Sequence, residues 1–129
     1  MTARVTAFRA VVLEHFRRPR NRGTLTGASV STEGANPLCG DRIRVELQVR
    51  DGAILAAGFT ADACAICIAS ASVLTERVRG MRLTDTASID GRWINAALEG
   101  DPPPGRARCA LLPLDTLRRA VAGLLAPVP

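Results

Sequence analysis

The feature that most constrains the fold is an alternating segment that runs into a tight turn in the middle of the chain. From Arg42 to Arg50, polar and apolar residues alternate, which is the period of a β-strand with one buried and one solvent-exposed face. Asp51-Gly52 follows, and this pair is typical of two-residue hairpin turns, because both turn positions need positive φ angles. With a returning strand over Ala53 to Phe59, the segment predicts an antiparallel hairpin.

Helical patterns lie on both sides of the hairpin, and a short strand is expected over residues 28–32. The pattern is an α+β fold, in which a small antiparallel sheet of about three strands packs against several helices. We expect a single domain over residues 1–129, with 126–129 as a disordered tail. Helices are predicted over residues 5–18 and over residues 65–79 before Gly80. A short helix is expected after Thr84, another over residues 90–99 with Asp90 as N-cap, and a last helix with Pro113 in its first turn.

The chain carries a net charge of +5, and all of its basic residues are arginines. One cluster comprises Arg17, Arg18, Arg20 and Arg22, with only Phe16 beside it as an aromatic platform. No nucleic-acid motif accompanies the cluster, so a solvated basic face is favoured over a nucleic-acid site. A docking patch for an acidic protein partner is the second interpretation.

The chain shows no signal peptide, and no run approaches the roughly 18 apolar residues of a membrane span. We therefore expect a cytoplasmic protein without membrane attachment. In a reducing cytosol, spaced cysteines indicate metal binding or catalysis more readily than disulfides.

Three of the four cysteines are predicted to meet at one end of the hairpin. Cys39 precedes the first strand, Asp41 is two residues further on, and Cys64 follows the returning strand. Cys109 comes after a Pro-rich connection and opens the last helix. Three thiolates and one carboxylate suit Zn²⁺ or an iron–sulfur cluster. Because Cys64 and Cys109 lie near helix N-termini, with Arg106 beside the latter, we expect their thiolate forms to be favoured.

Cys67 and the single histidine, His15, are interpreted differently. Cys67 follows Cys64 by three residues within an apolar helical segment, and buried cysteines are common in protein cores. A zinc ribbon would need a second matching pair of cysteines. We therefore predict that Cys67 is a core residue and do not assign His15 to the metal.

Four segments, in order along nearly the whole chain, resemble the U-type iron–sulfur cluster scaffold family, which includes IscU, SufU and the N-terminal domain of NifU. The first is similar to the family's opening His-aromatic-x-x-Pro-Arg-Asn-x-Gly motif, and the other three are similar to its ligand loops. These segments are residues 15–23 (HFRRPRNRG), 36–41 (NPLCGD), 64–72 (CAICIASAS) and 106–111 (RARCAL).

The resemblance implies an α+β fold of the SufE/NifU type and a role in iron–sulfur cluster assembly. It implies that Cys39, Cys64 and Cys109 are cluster-binding or sulfur-accepting cysteines, with Asp41 as the assisting carboxylate and Cys109 as the candidate persulfide acceptor. The implied cargo or cofactor is a transient [2Fe–2S] cluster or Zn²⁺. The implied partners are a cysteine desulfurase and apo-protein acceptors; the oligomeric state stays open.

Two branches of the family differ in chemistry, and the sequence combines features of both. The IscU-type branch assembles a [2Fe–2S] cluster and typically has His before the third Cys, where this chain has Arg108. The SufU-type branch consists of zinc-dependent sulfurtransferases, which typically have a basic residue at that position. The Ala-Ser-Ala-Ser run at residues 69–72 also favours the SufU-type branch. However, the spacing of 45 residues from Cys64 to Cys109 leaves no room for the usual SufU insertion.

Three hypotheses follow from the sequence. The chain is a cluster scaffold and sulfur acceptor that is not itself an enzyme, or a zinc-dependent sulfurtransferase. The third hypothesis is a structural zinc module used for binding.

Overall fold

The fold is an α+β structure, as the sequence predicts. A computed structural model describes the backbone of residues 2–126 and the side chains of residues 10–126. Its sheet has three antiparallel strands in the order β1-β2-β3. The elements are α1 (Thr2–Arg17), β1 (Val30–Asn36), β2 (Asp41–Arg50), β3 (Ala53–Asp62), α2 (Ala65–Val78), a 3₁₀ helix (Leu83–Ser88), α3 (Gly91–Ala97) and α4 (Ala107–Leu125).

The predicted hairpin and its turn are confirmed, with a shift of register between Gln48 and Val49. Asp51 and Gly52 have φ angles of 54° and 78°, which are the positive values that a type I′ turn requires. Arg50 pairs with Ala53 across the turn. The pairing continues to Arg42 opposite Asp62, so β3 is longer than expected and ends close to Cys64.

The first strand lies further along the chain than predicted. Residues 28–32 were expected, whereas β1 is Val30–Asn36 and pairs with β2 up to Asn36 opposite Asp41. The Glu-Gly-Ala stretch has low strand propensity. Its strand conformation comes from tertiary packing, because Gly34 lies directly against Thr116 of α4.

The two faces of the sheet are covered unequally. Ile43, Val45 and Leu47 of β2 are buried in the main core, on the side where α2 and α4 pack against the sheet. On the other face, Glu46 was expected to be solvent-exposed but is buried. Arg22 forms a bridge with Phe59 at the outer edge of β3. The chain then passes over the other face, where the backbone N–H of Leu25 donates to Glu46 Oε1 at 3.0 Å.

The helices begin and end largely as predicted, with two corrections. Asp90 caps α3 by accepting a hydrogen bond from the Trp93 N–H, and Gly80 has a φ of 85° after the end of α2. Pro113, expected in the first turn of the last helix, is instead the seventh residue of α4. Phe16 comes four residues after the buried Val12, a spacing that predicts one apolar stripe on α1, but Phe16 is 40% exposed.

The core binds the elements into one packed unit. α2 contacts α1, α4 and β3, and α4 contacts both β1 and β2. No helix within residues 2–126 is long and apolar enough to cross a membrane. Of the expected disordered tail, residues 127–129 lie outside the described part of the chain.

Candidate metal and sulfur site

The first part of the site is the turn that joins β1 to β2. Asn36 is buried, and its side-chain oxygen accepts from the backbone N–H of Leu38 while its carbonyl accepts from that of Gly40 at 2.8 Å. This is the turn chemistry that asparagine favours. Gly40 has a φ of 76°, which suits glycine. The turn leaves Cys39 exposed at the rim of the site.

Asp41 lies at the centre of the site and is only 3% exposed. Its Oδ2 accepts a hydrogen bond from Cys39 Sγ at 3.1 Å and lies 3.7 Å from Cys64 Sγ. Its Oδ1 accepts a hydrogen bond of 2.9 Å from the backbone N–H of Cys64. The carboxylate therefore joins the beginning of β2 to the N-terminus of α2.

Cys109 approaches from the opposite side, as the third residue of α4. Its sulfur is 3.4 Å from Cys39 Sγ, although the two residues are 70 positions apart. The ligand atoms of Cys39, Asp41 and Cys109 all lie within 4.8 Å of one another. Cys64 flanks this trio through its contact with Asp41, so the four residues predicted from the sequence converge around one carboxylate.

The donor set fits a tetrahedral metal ion in its chemistry, and the ligand atoms of Cys39, Asp41 and Cys109 lie close enough together to share one ion, with the Cys64 sulfur outside that trio. Zinc binds thiolate sulfur at about 2.3 Å and carboxylate oxygen at about 2.1 Å, which places its ligand atoms about 3.6 to 3.8 Å apart. The observed separations around Asp41 and between Cys39 and Cys109 are 3.1, 3.4 and 3.7 Å. Three sulfurs and one oxygen also match the soft ligand preference of iron–sulfur clusters.

The protonation of Cys109 differs from expectation. Burial, followed by hydrogen bonds with Asp41, Cys39 and Cys64, raises the pKa of the Cys109 thiol in the metal-free protein. The expected preference for thiolate at this helix N-terminus is therefore wrong for Cys109, because desolvation and the neighbouring carboxylate outweigh the helix dipole. The thiol has to release its proton when it binds a metal.

The pKa of Asp41 is shifted the other way. Burial acts to raise it, but hydrogen bonds from the thiols of Cys109 and Cys39 and from the Cys64 backbone N–H leave the pKa of Asp41 below its ordinary value. Arg106 is exposed at the rim, and its hydrogen bond with Cys109 raises the pKa of the guanidinium. The site thus combines an ionised carboxylate with a permanent positive charge beside its sulfurs.

Cys67 and His15 lie outside this group of side chains. Cys67 is fully buried in the core, and burial, followed by the charge of Asp41, raises the pKa of its thiol. His15 Nδ1 is 2.8 Å from Ser72 Oγ, and the backbone N–H of Arg20 donates to the same hydroxyl. The opening motif therefore joins α1 to α2 and contributes no ligand to the site.

Two residues with structural roles at the site were not singled out from the sequence. Asn36 fixes the Cys39 turn, and an Asn-Pro pair before a cysteine is a local signal from which this role can be inferred. Ser70 donates a hydrogen bond of 2.6 Å to the carbonyl of Ala110. No local pattern indicates this second contact, because it joins residues 40 positions apart in two different helices.

Comparison with known proteins agrees with the resemblance. The model of the NifU-like N-terminal domain family matches residues 7–126. The chain is 41% identical over 110 residues to the bifunctional protein NifU/MnmA of Rubrobacter xylanophilus. That match covers 84% of this chain but only 22% of the relative, so this chain corresponds to about a fifth of that protein.

Two other relatives match over most of their length. The zinc-dependent sulfurtransferase SufU of Bacillus subtilis is 32% identical, with 91% of this chain and 90% of SufU covered. The iron–sulfur cluster assembly scaffold protein IscU of Haemophilus influenzae is 33% identical, with 90% and 94% covered.

The fold is also similar to a solved structure. The crystal structure of the protein FiSufU from the thermophile Fervidobacterium islandicum superposes with a TM-score of 0.73 at 22% identity. It covers 86% of this chain and 93% of the solved one. With the family model matching nearly the whole sequence, the chain belongs to the NifU-like N-terminal domain family.

Proposed function

We propose that this chain is an iron–sulfur cluster assembly scaffold and sulfur acceptor that works with a cysteine desulfurase in the cytosol. The observation that carries the proposal is the convergence of Cys39, Cys64 and Cys109 around the carboxylate of Asp41, with separations of 3.1 to 3.7 Å. These four residues would hold iron and sulfide as cargo, which would then pass to apo-protein acceptors. Relatives named as scaffolds support this function.

The composition of the ligand set favours transfer over permanent storage. Asp41 supplies a hard oxygen among soft thiolates, so its bond to iron is expected to be weaker than that of a fourth cysteine. Cys39 is exposed at the rim, which leaves one side of the site open to a partner. A cluster held in this way can be assembled and released without unfolding the chain.

Sulfur would enter as a persulfide from the desulfurase. In the proposed step, the Cys109 thiol loses its proton, its sulfur attacks the outer sulfur of the persulfide, and a new S–S bond forms on Cys109. The bond to the desulfurase cysteine breaks, and that cysteine leaves as a thiolate that takes up the proton. The exposed Cys39 sulfur lies 3.4 Å from that of Cys109 and is the alternative first acceptor. Peptide mapping by mass spectrometry after a single desulfurase turnover distinguishes the two cysteines.

The test of the scaffold function is anaerobic reconstitution with ferrous iron, cysteine and a cysteine desulfurase. We expect the wild-type chain to acquire iron, sulfide and visible absorption, and Cys39→Ala, Cys64→Ala and Cys109→Ala to lose them. Cys67→Ala is the matched control, because it removes a fully buried thiol that belongs to the core. A wild-type chain that acquires no cluster, or a Cys39→Ala variant that acquires a normal one, contradicts the scaffold function.

The second candidate is a zinc-dependent sulfurtransferase, which is the name of the SufU relative. The favouring observation is the exposed pair Arg106 and Arg108 next to Cys109. Neither arginine can bind a metal, so Asp41 would be the fourth zinc ligand, and the two arginines would add positive charge beside the sulfur-accepting Cys109. Metal analysis and an optical spectrum after anaerobic purification separate the candidates. Retained zinc together with persulfide on Cys109 would support the sulfurtransferase and exclude the scaffold.

A further inference from the structure

We propose that Ser70 is a positioning residue that holds the first turn of α4, and therefore the Cys109 thiol, in place at the metal and sulfur site. Ser70 lies in α2, six residues after Cys64, and is completely buried. Its hydroxyl donates a hydrogen bond of 2.6 Å to the carbonyl of Ala110. The inference rests on the function proposed above, because it assigns a role at the same site.

The beginning of α4 has few hydrogen bonds of its own, although Cys109 and Ala110 are buried in the core. Arg106 occupies the N-cap position without a side-chain capping hydrogen bond, and the residues before it form an exposed connection containing three prolines. Pro113 is buried inside the helix. Because proline has no backbone N–H, the carbonyl of Cys109 loses the donor four residues later that an ordinary helix provides.

Ser70 holds this turn from a neighbouring helix, through the Ala110 carbonyl, which is next to the carbonyl that Pro113 leaves without a donor. Cys64 is the N-cap of α2, and Ala110 directly follows Cys109, so the Ser70 hydrogen bond joins the helix of one ligand to the turn of another. Buried hydroxyl–carbonyl bonds of this kind orient ligands that they do not touch. Without the bond, the first turn of α4 is free to shift, and the 3.4 Å approach of Cys109 to Cys39 is lost.

The first test compares Ser70→Ala with Ser72→Ala. Both hydroxyls are fully buried on α2, but Ser72 contacts His15 and Arg20 on the α1 side. In competition with a chromophoric chelator, Ser70→Ala should weaken Zn²⁺ binding about tenfold, whereas Ser72→Ala should change it less than about twofold. Equal effects of the two variants, or no effect of Ser70→Ala, would overturn the positioning role.

The second test is a double-mutant cycle with Pro113→Ala, which returns a backbone N–H to α4. If the restored N–H and the Ser70 hydroxyl hold the same turn through neighbouring carbonyls, the loss of Zn²⁺ affinity caused by Ser70→Ala should be clearly smaller in the Pro113→Ala background. Simple additivity of the two substitutions would show that the missing Pro113 N–H does not make the turn depend on Ser70 and would overturn this explanation.

The third test requires no metal. Diamide oxidises two neighbouring thiols to a disulfide and is itself reduced to the hydrazine, so the rate of Cys39–Cys109 disulfide formation reports their approach. In the metal-free chain, Ser70→Ala should slow this reaction about tenfold relative to wild type and Ser72→Ala. If wild type binds neither zinc nor a cluster but this difference is found, the proposed function fails and the positioning role stands. If all three chains oxidise at one rate, the positioning role fails regardless of metal binding.

Discussion

The backbone N–H of Cys64 donates a hydrogen bond of 2.9 Å to Oδ1 of Asp41. The bond joins the ligand loop that contains Cys64 to the ligand loop that contains Asp41, 23 residues earlier in the chain. It also uses the N-terminus of α2, where a negative charge interacts favourably with the helix dipole. Asp41 is therefore both a candidate ligand and a structural link between the ligand loops.

Replacing Asp41 by Asn separates these two roles. The amide oxygen can still accept the bond from Cys64 N–H, so we expect the free energy of unfolding of the metal-free chain to change by no more than about 1 kcal/mol. The lost charge should weaken Zn²⁺ binding at least about tenfold. Chelator competition and urea unfolding measure the two effects. Asp62→Asn, at the exposed end of β3, is the control; normal zinc affinity in Asp41→Asn would remove Asp41 from the site.

Metal removal is expected to leave the fold intact. The core contains fully buried residues such as Leu47, Phe59 and Leu74, which pack without any contribution from the site, and apolar burial is the main source of folding free energy. After treatment with a chelator, far-ultraviolet circular dichroism should keep its helical signal and thermal unfolding should stay cooperative. A chain that unfolds on chelation would instead be a structural zinc module.

Alanine substitutions at two glycines, one packed against α4 and one within it, should change the free energy of unfolding in opposite directions. A Cβ at Gly34 would overlap the hydroxyl of Thr116, so Gly34→Ala should lower the free energy of unfolding by about 1 to 3 kcal/mol. Gly123 lies within α4 with no atom near an added Cβ. Gly123→Ala should therefore raise the free energy of unfolding by about 0.5 to 1 kcal/mol. Urea unfolding of both variants tests this pair, and a neutral Gly34→Ala would contradict the close packing of β1 against α4.

His15 should make stability depend on pH. Burial, followed by the charge of Arg20, lowers the pKa of His15, while Glu76 and Glu14 act to raise it. Since the folded pKa is below the unfolded value of about 6.5, the unfolded chain binds the proton more readily. The contribution of His15 to stability is therefore present above about pH 6.5 and is lost as pH falls towards the folded pKa.

The measurement is the melting temperature of wild type and His15→Gln between pH 7.5 and 5.5. The fall in melting temperature should be smaller in His15→Gln, because the glutamine does not titrate. Glu33→Gln is a control, since Glu33 is exposed and paired with Arg44 on the sheet. An identical fall in wild type and His15→Gln would show that His15 does not contribute.

Much of this protein follows from local sequence alone. The hairpin at Asp51-Gly52, the cap at Asp90 and the helix end at Gly80 depend on residues a few positions apart, and each is confirmed. The four candidate ligands were also visible in the sequence, since the turn at Cys39 and the start of α2 at Cys64 are set by nearby residues.

Only the tertiary structure decided the features that depend on contacts between distant segments of the chain. The alternation of polar and apolar residues in β2 predicts that Glu46 is exposed, but the segment at Leu25 covers it. β1 extends through Gly34 because α4 packs there. Burial and Asp41 raise the pKa of the Cys109 thiol, against the local effect of the helix N-terminus. Desolvation and close packing arise only when separate elements meet, so no window of sequence contains them.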